Sequence, residues 1–260
     1  MNRLIFTSLA LSLTTLANAQ DDARDPHAYS AGYTQTDASY SLPNAEPSHM
    51  EITHYVSSIL GERLEYDTDE RRGDYAIRAW HGTSFNRAVL KTEGSFTQGD
   101  TYENSTQLLW GRAIAPFWDS LLGVRVDTRS EGKNRSWIAA GLQGLAPYWF
   151  DLDATAFVGT QGETEFVLNA EYDLLLTQRL ILQPHAEITV RGDDDAVNRL
   201  GKGLSSASLG LRLRYEFSRQ FAPYIGVESD KNYGNTASFL RAVNMRNRET
   251  RYFLGVRFWL

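Results

Sequence analysis

The chain has 260 residues, 42% of them hydrophobic, and a mean hydropathy of −0.39, so on averages alone it would pass for a soluble protein of one or two domains. It contains no cysteine, which excludes disulfide frameworks and thiolate metal sites and suits a chain exported to an oxidising compartment. The formal charge of −6 argues against nucleic acid as a partner and makes cations the more natural ligands.

The only unbroken apolar run is at the start. MNRLIFTSLALSLTTLANAQ offers a basic Arg3, an apolar stretch from Leu4 to Leu16, and Ala17-Asn18-Ala19 as a small-residue cleavage site. About a dozen apolar residues fall short of the ~20 that a membrane helix needs, so residues 1–19 are predicted to be a secretory signal peptide. Residues 20–56 are rich in Asp, Ser, Tyr, Ala and Thr, are broken by Pro26, Pro43 and Pro47, and show no period of 2 or 3.6. They predict a flexible N-terminal tail.

From Ser57 to Leu260 the period is 2. Strands are expected at roughly 57–67, 74–83, 86–97, 102–115, 117–129, 135–145, 148–159, 163–175, 179–191, 204–217, 220–231 and 249–260. Each is long enough for a tilted membrane strand of ~9–11 residues. In 148–159, Phe150, Leu152, Ala154, Ala156 and Val158 alternate with Asp151, Asp153 and Thr155. In 204–217, Leu209, Leu211, Leu213, Tyr215 and Phe217 oppose Ser208, Gly210, Arg212, Arg214 and Glu216. The dry core of a soluble sandwich could not hold so many charges, whereas a membrane barrel turns its apolar face to lipid and its polar face to a lumen.

The connections alternate as well. Tight turns at 81–84, 115–117, 146–148, 176–178 and 217–220 take turns with longer polar segments, the longest being 192–203 and 232–248. Short periplasmic turns and longer outer loops are the habit of outer-membrane barrels. Phe117-Trp118, Tyr148-Trp149-Phe150, Phe221 with Tyr224, and Phe258-Trp259 lie near the short-turn ends, which predicts an aromatic girdle at the headgroups. The expected fold is therefore all-β, a transmembrane antiparallel β-barrel of about twelve strands, embedded in outer-membrane lipid.

Several blocks then resemble a known family. LKTEG ending at Gly94, RAIAPFWD from Arg112, GLQGLAPYWF from Gly141, DATAFVG from Asp153, EYDLLLTQRLILQP from Glu171, GLSSASLGLRLRYE from Gly203, FAPYIGV from Phe221 and GVRFW from Gly255 are similar to the copper resistance protein B family. The resemblance covers about Ser57 to Leu260. It implies an outer-membrane barrel in copper tolerance that works with copper ions and beside periplasmic copper-handling proteins. Many members carry a His- and Met-dense segment ahead of the barrel; here that region offers only His27, His49, Met50 and His54.

With copper as the implied cargo, thioether, imidazole and carboxylate are the side chains that matter. His49, Met50 and His54 fall within six residues and could close around one ion on a flexible segment, with His27 a weaker candidate. In the barrel, His185 faces the lumen by parity. Glu187, Glu171, Asp173, Asp151 and Asp153 should line the same wall, a set suited to Cu(II). The competing reading of those carboxylates is an ion-pair ladder with Arg125, Arg212, Arg214 and Arg257. Met245 lies among Arg241, Arg246 and Arg248, which disfavours a cation there, and His81 sits at a tight turn.

Enzymatic chemistry is not expected. Ser84 stands three residues from His81 without a third orienting group, and no phosphate loop or HExxH occurs. The remaining alternative is a narrow pore or structural barrel with no metal preference.

Overall fold

The computed structural model describes residues 54–67, 71–97, 100–130 and 134–260. The predicted signal peptide and residues 20–53 of the predicted tail, with His27, His49 and Met50, lie outside the described residues.

The strands are β1 (Val56–Asp67), β2 (Arg72–Gly82), β3 (Asn86–Thr97), β4 (Asp100–Ala115), β5 (Trp118–Arg129), β6 (Arg135–Ala146), β7 (Phe150–Gly159), β8 (Thr164–Glu171), β9 (Leu174–Leu175), β10 (Leu180–Arg191), β11 (Gly203–Tyr215), β12 (Phe221–Asn232) and β13 (Arg248–Trp259). Each pairs antiparallel with its neighbours, β13 returns to β1, and β10 pairs with β11, so the sheet is closed. β8 and β9 both pair with β10 and form one interrupted stave, which makes the wall a closed twelve-stave barrel as the sequence predicts.

The interruption has a local cause. Tyr172 N donates to Pro184 O at 3.1 Å, so Pro184 turns towards this stave the edge on which its ring removes the N–H. The ladder therefore lapses between Glu171 and Leu174, where the sequence predicts one continuous strand.

Alternation sets the two faces. Leu108, Leu122, Ile138, Leu209, Ile225, Tyr252 and Leu254 all point outward and are exposed. Strands of about twelve residues, at ~3.3 Å per residue and tilted ~45°, reach the ~30 Å of a hydrocarbon core. No helix among the described residues is long and apolar enough to cross a membrane. A bulge between Gly61 and Arg63 departs from strict alternation. It turns two consecutive side chains inward, Glu62 to Arg78 at 2.8 Å and Arg63 to Glu93 at 3.6 Å.

Most of the expected girdle stands at the short-turn rim. Tyr148 and Trp149 are exposed in the turn after β6, both with φ of 67°. Tyr224 departs from the expectation: it is buried in the lumen, and its hydroxyl donates to Glu65 Oε1 at 2.9 Å. Parity decides this, because Phe221 and Ile225 face outward and an aromatic between them in the alternation must face in. Trp259 sits at the rim with its Nε1 donating to Arg219 O at 2.6 Å.

The longest connection, between β12 and β13, contains a helix, α1 (Gly234–Ala242), where the sequence suggests only a polar loop. Its Thr236 and Ala237 are buried; Thr236 Oγ1 accepts from Gly201 N at 2.8 Å and meets Ser205 Oγ at 2.8 Å. These contacts pin α1 to β11 and to the β10–β11 loop.

Candidate functional site

The lumen wall divides into two sectors. On β3 to β7, Val89, Leu109, Leu121, Trp137, Ala139 and Phe157 point inward and form a buried apolar cluster, with Trp80 and Val167 packed against it. Consecutive apolar pairs on single strands, Leu108-Leu109 and Leu121-Leu122, are the signal that could have found it, since only one of each pair can face lipid.

On the strands running from β10 through β13 to β2 the wall is ionic. Arg212 Nε donates to Glu65 Oε1 at 2.8 Å and its Nη2 to Glu228 Oε2 at 2.9 Å. Arg251 reaches Glu228 Oε1 at 3.0 Å and Asp74 Oδ2 at 2.6 Å. All of Glu65, Glu228, Arg212 and Arg251 are buried, so every charge is held by a partner of opposite sign, as burial requires. The sequence reading did not single out Glu65, Glu228 or Arg251. Lumen-facing parity was the available signal for all three; Glu228 and Arg251 are register partners on adjacent strands, and only Glu65 depends on pairing across the closure of the sheet.

His185 stands at the edge of this network. Its Nε2 lies 4.0 Å from Glu171 Oε1 and its Nδ1 3.9 Å from Glu228 Oε2. The imidazole is buried, and Nδ1 makes no hydrogen bond. The pairing register sets His185 opposite Glu171 and Glu171 opposite Asp151, so the three share one row across β10, β8 and β7. Glu171 is the more available carboxylate: its Oε2 accepts from Gln183 Nε2 at 3.1 Å, and it holds no Arg or Lys.

The other predicted residues are placed as follows. Asp153 is paired with Lys91 and accepts from Thr155 Oγ1 at 2.9 Å. Asp173 accepts from Arg214 Nη2 at 2.8 Å. Glu187 faces inward two residues above His185, with Arg63 and Glu93 as charged neighbours. His54 is exposed ahead of β1. Among the described residues, no three His, Asp or Glu side chains converge into a group that could hold a metal ion. Met245 accepts from Arg199 Nη1 at 3.4 Å, which adds another cation to its surroundings. His81 lies on the outer face of the short-turn rim, its Nδ1 2.8 Å from Ser57 Oγ and its ring stacked on Tyr55.

A second ionic group lies towards the long-loop end. Arg125 grips Asp127 through two contacts of 2.8 Å and Glu165 at 2.8 Å, and its guanidinium stacks on Phe157 at 4.1 Å and Trp137 at 5.2 Å. Glu165 also pairs with Arg191. Above them Arg135 of β6 pairs with both Glu163 and Asp195, and Asp195 belongs to the β10–β11 loop. Burial tends to raise the Asp195 pKa, but hydrogen bonds from Asn198 N and Nδ2 and the charge of Arg135 outweigh it and hold the carboxyl below its ordinary value.

Residues 55–260 match the family model described as copper resistance protein B precursor. Copper resistance protein B of Escherichia coli is 40% identical over 203 residues, covering 77% of this chain and 68% of that protein. The copper resistance protein B homolog of Pseudomonas syringae pv. tomato is 41% identical over 206 residues, covering 78% of this chain and 69% of that protein. Among solved structures, the NanC porin superposes with a TM-score of 0.51 at 12% identity, covering 78% of this chain and 99% of the porin; that likeness concerns the fold alone.

Proposed function

The chain belongs to the copper resistance protein B family, and on that premise we propose that it is an outer-membrane barrel which binds copper ions in its lumen and supports their export or sequestration. The observation that carries this reading is His185 with Glu171. At metal–ligand bonds of about 2 Å, two donors on one ion stand roughly 3–4 Å apart, and Nε2 and Glu171 Oε1 are separated by 4.0 Å. Imidazole with carboxylate is a donor set for Cu(II). Glu228, beside Nδ1 and clamped by Arg212 and Arg251, would orient the ring from the far side.

Asp151, Asp153, Asp173 and Glu187 extend the acidic wall along which copper would pass by ligand exchange. Two protein donors plus water suit an ion that must leave again. His27, His49, Met50 and His54 would collect copper ahead of the barrel, after export directed by residues 1–19. Periplasmic copper-handling proteins would be the partners on that side, and no bond chemistry is asked of the protein. The ion pairs that already occupy Asp153, Asp173 and Glu228 support a second reading, a narrow pore or structural barrel without metal preference.

Cu(II) titration of the purified full chain separates the two. His185→Ala should lose one class of bound copper, and Glu171→Gln should weaken it, while deletion of residues 20–54 should remove a different class. Unchanged stoichiometry and affinity in both lumen variants would eliminate the barrel site.

A further inference from the structure

At the short-turn end of the barrel, where β1 begins and β13 ends, lies a cavity of about 380 Å³. Three guanidinium groups line it, those of Arg78, Arg87 and Arg257, together with Gln143, Trp80 and Trp259, and no carboxylate is among the lining residues. Two of the arginines are anchored by carboxylates: Arg78 to Glu62 at 2.8 Å, and Arg87 to Asp119 at 3.2 Å, with Arg87 also stacked on Trp80 at 5.6 Å. Arg257 makes no ion pair with any described residue.

Polar atoms in this cavity are also left unused. Arg78 Nε, Arg87 Nε and Gln143 Oε1 are buried without a hydrogen-bond partner. The two Nε–H groups are donors that need an acceptor, and the Gln143 amide can turn to present its NH2 instead. Arg forks match the geometry of oxyanions. A cation would be repelled, and an apolar guest would leave the donors unsatisfied.

We propose that this cavity binds a small oxyanion, of which inorganic phosphate is the simplest member, held by the free fork of Arg257 and the unused donors of Arg78, Arg87 and Gln143. The site needs only the barrel geometry. A negative copper result at His185 leaves it standing, and its own failure leaves the copper reading standing.

Trp80 and Trp259 provide the measurement. Phosphate is titrated into the detergent-solubilised full chain at constant ionic strength made up with chloride, following tryptophan emission, and equilibrium dialysis with labelled phosphate gives an independent count. A saturable response of one site per chain is expected. Arg257→Gln should weaken phosphate about tenfold, the loss of one charge-assisted contact, and Arg257→Lys should restore part of that. Because Arg257 has no carboxylate partner, removing it strands no buried charge and should leave folding intact. Absence of saturable binding by dialysis in the unsubstituted chain, or wild-type affinity in Arg257→Gln, would overturn the proposal.

Discussion

The apolar and ionic sectors of the lumen wall are built from the same alternating strands, yet they close the interior by different physics. On β3 to β7, Leu109, Val89 and Ala139 are almost completely buried and fill space by packing alone. On β10 to β2, Arg212 and Arg251 bridge Glu65, Glu228 and Asp74, so the wall is held by directional contacts that tolerate gaps. The difference separates a side held by packing from a side held by ion pairs. Arg125 joins them, stacked on Phe157 and Trp137 while bound to Glu165.

The comparison is broken most severely by removing the centre of the ionic sector. Arg212→Met takes from buried Glu65 its only ion-pair partner and leaves Glu228 with Arg251 alone, and should cost about 3–5 kcal/mol. Urea unfolding of the reconstituted barrel checks this; a loss under ~1 kcal/mol would mean that lumen water, not Arg212, solvates Glu65 and Glu228. On the apolar side, Leu109→Ala should cost about 2 kcal/mol, near the low end for such truncations because lumen water can enter the space. It should also raise single-channel conductance in planar bilayers, an effect not expected for a lipid-facing Leu108→Ala. Equal conductance changes in both variants would show that the cluster does not restrict the lumen.

How much of this was legible in the sequence follows from the range of each interaction. The alternation of Phe150, Leu152 and Ala154 with Asp151 and Asp153 gave the strand and its two faces, because a period of 2 is a local property. The alternation of short turns with longer connections was legible for the same reason. His185 beside Glu171 was also legible, since both lie on staves adjacent in chain order. Glu65 comes to Arg212 through closure of the barrel, 147 residues away, and no local pattern encodes that register; Glu228, 16 residues away on the adjacent β12, was within reach of the same reading as Glu171. The inward placement of Tyr224 could have been read from parity with Glu228, but its aromatic character pointed to the girdle instead. α1 was missed because its residues, Gly234 to Ala242, carry no apolar stripe; buried hydrogen bonds through Thr236 hold it.

The smallest effect expected is at the long-loop end, where the β10–β11 loop is tied to β6 by Asp195 and Arg135. The folded-state pKa of Asp195 is depressed, so the tie contributes stability fully above the ordinary aspartate value of about 3.9 and loses it as pH falls through the lower folded value. Asp195→Asn should therefore reproduce at pH 7 the loop opening that the unsubstituted protein shows only in acid. The cost should stay within ~1 kcal/mol, as for other partly solvated pairs. Hydrogen exchange of residues 192–202 reads this directly: protection should fall in the variant at neutral pH and fall no further on acidification. If the variant keeps full protection, the loop is held instead by Thr236 and Asn235 of α1, which contact Gly201 and Asp194.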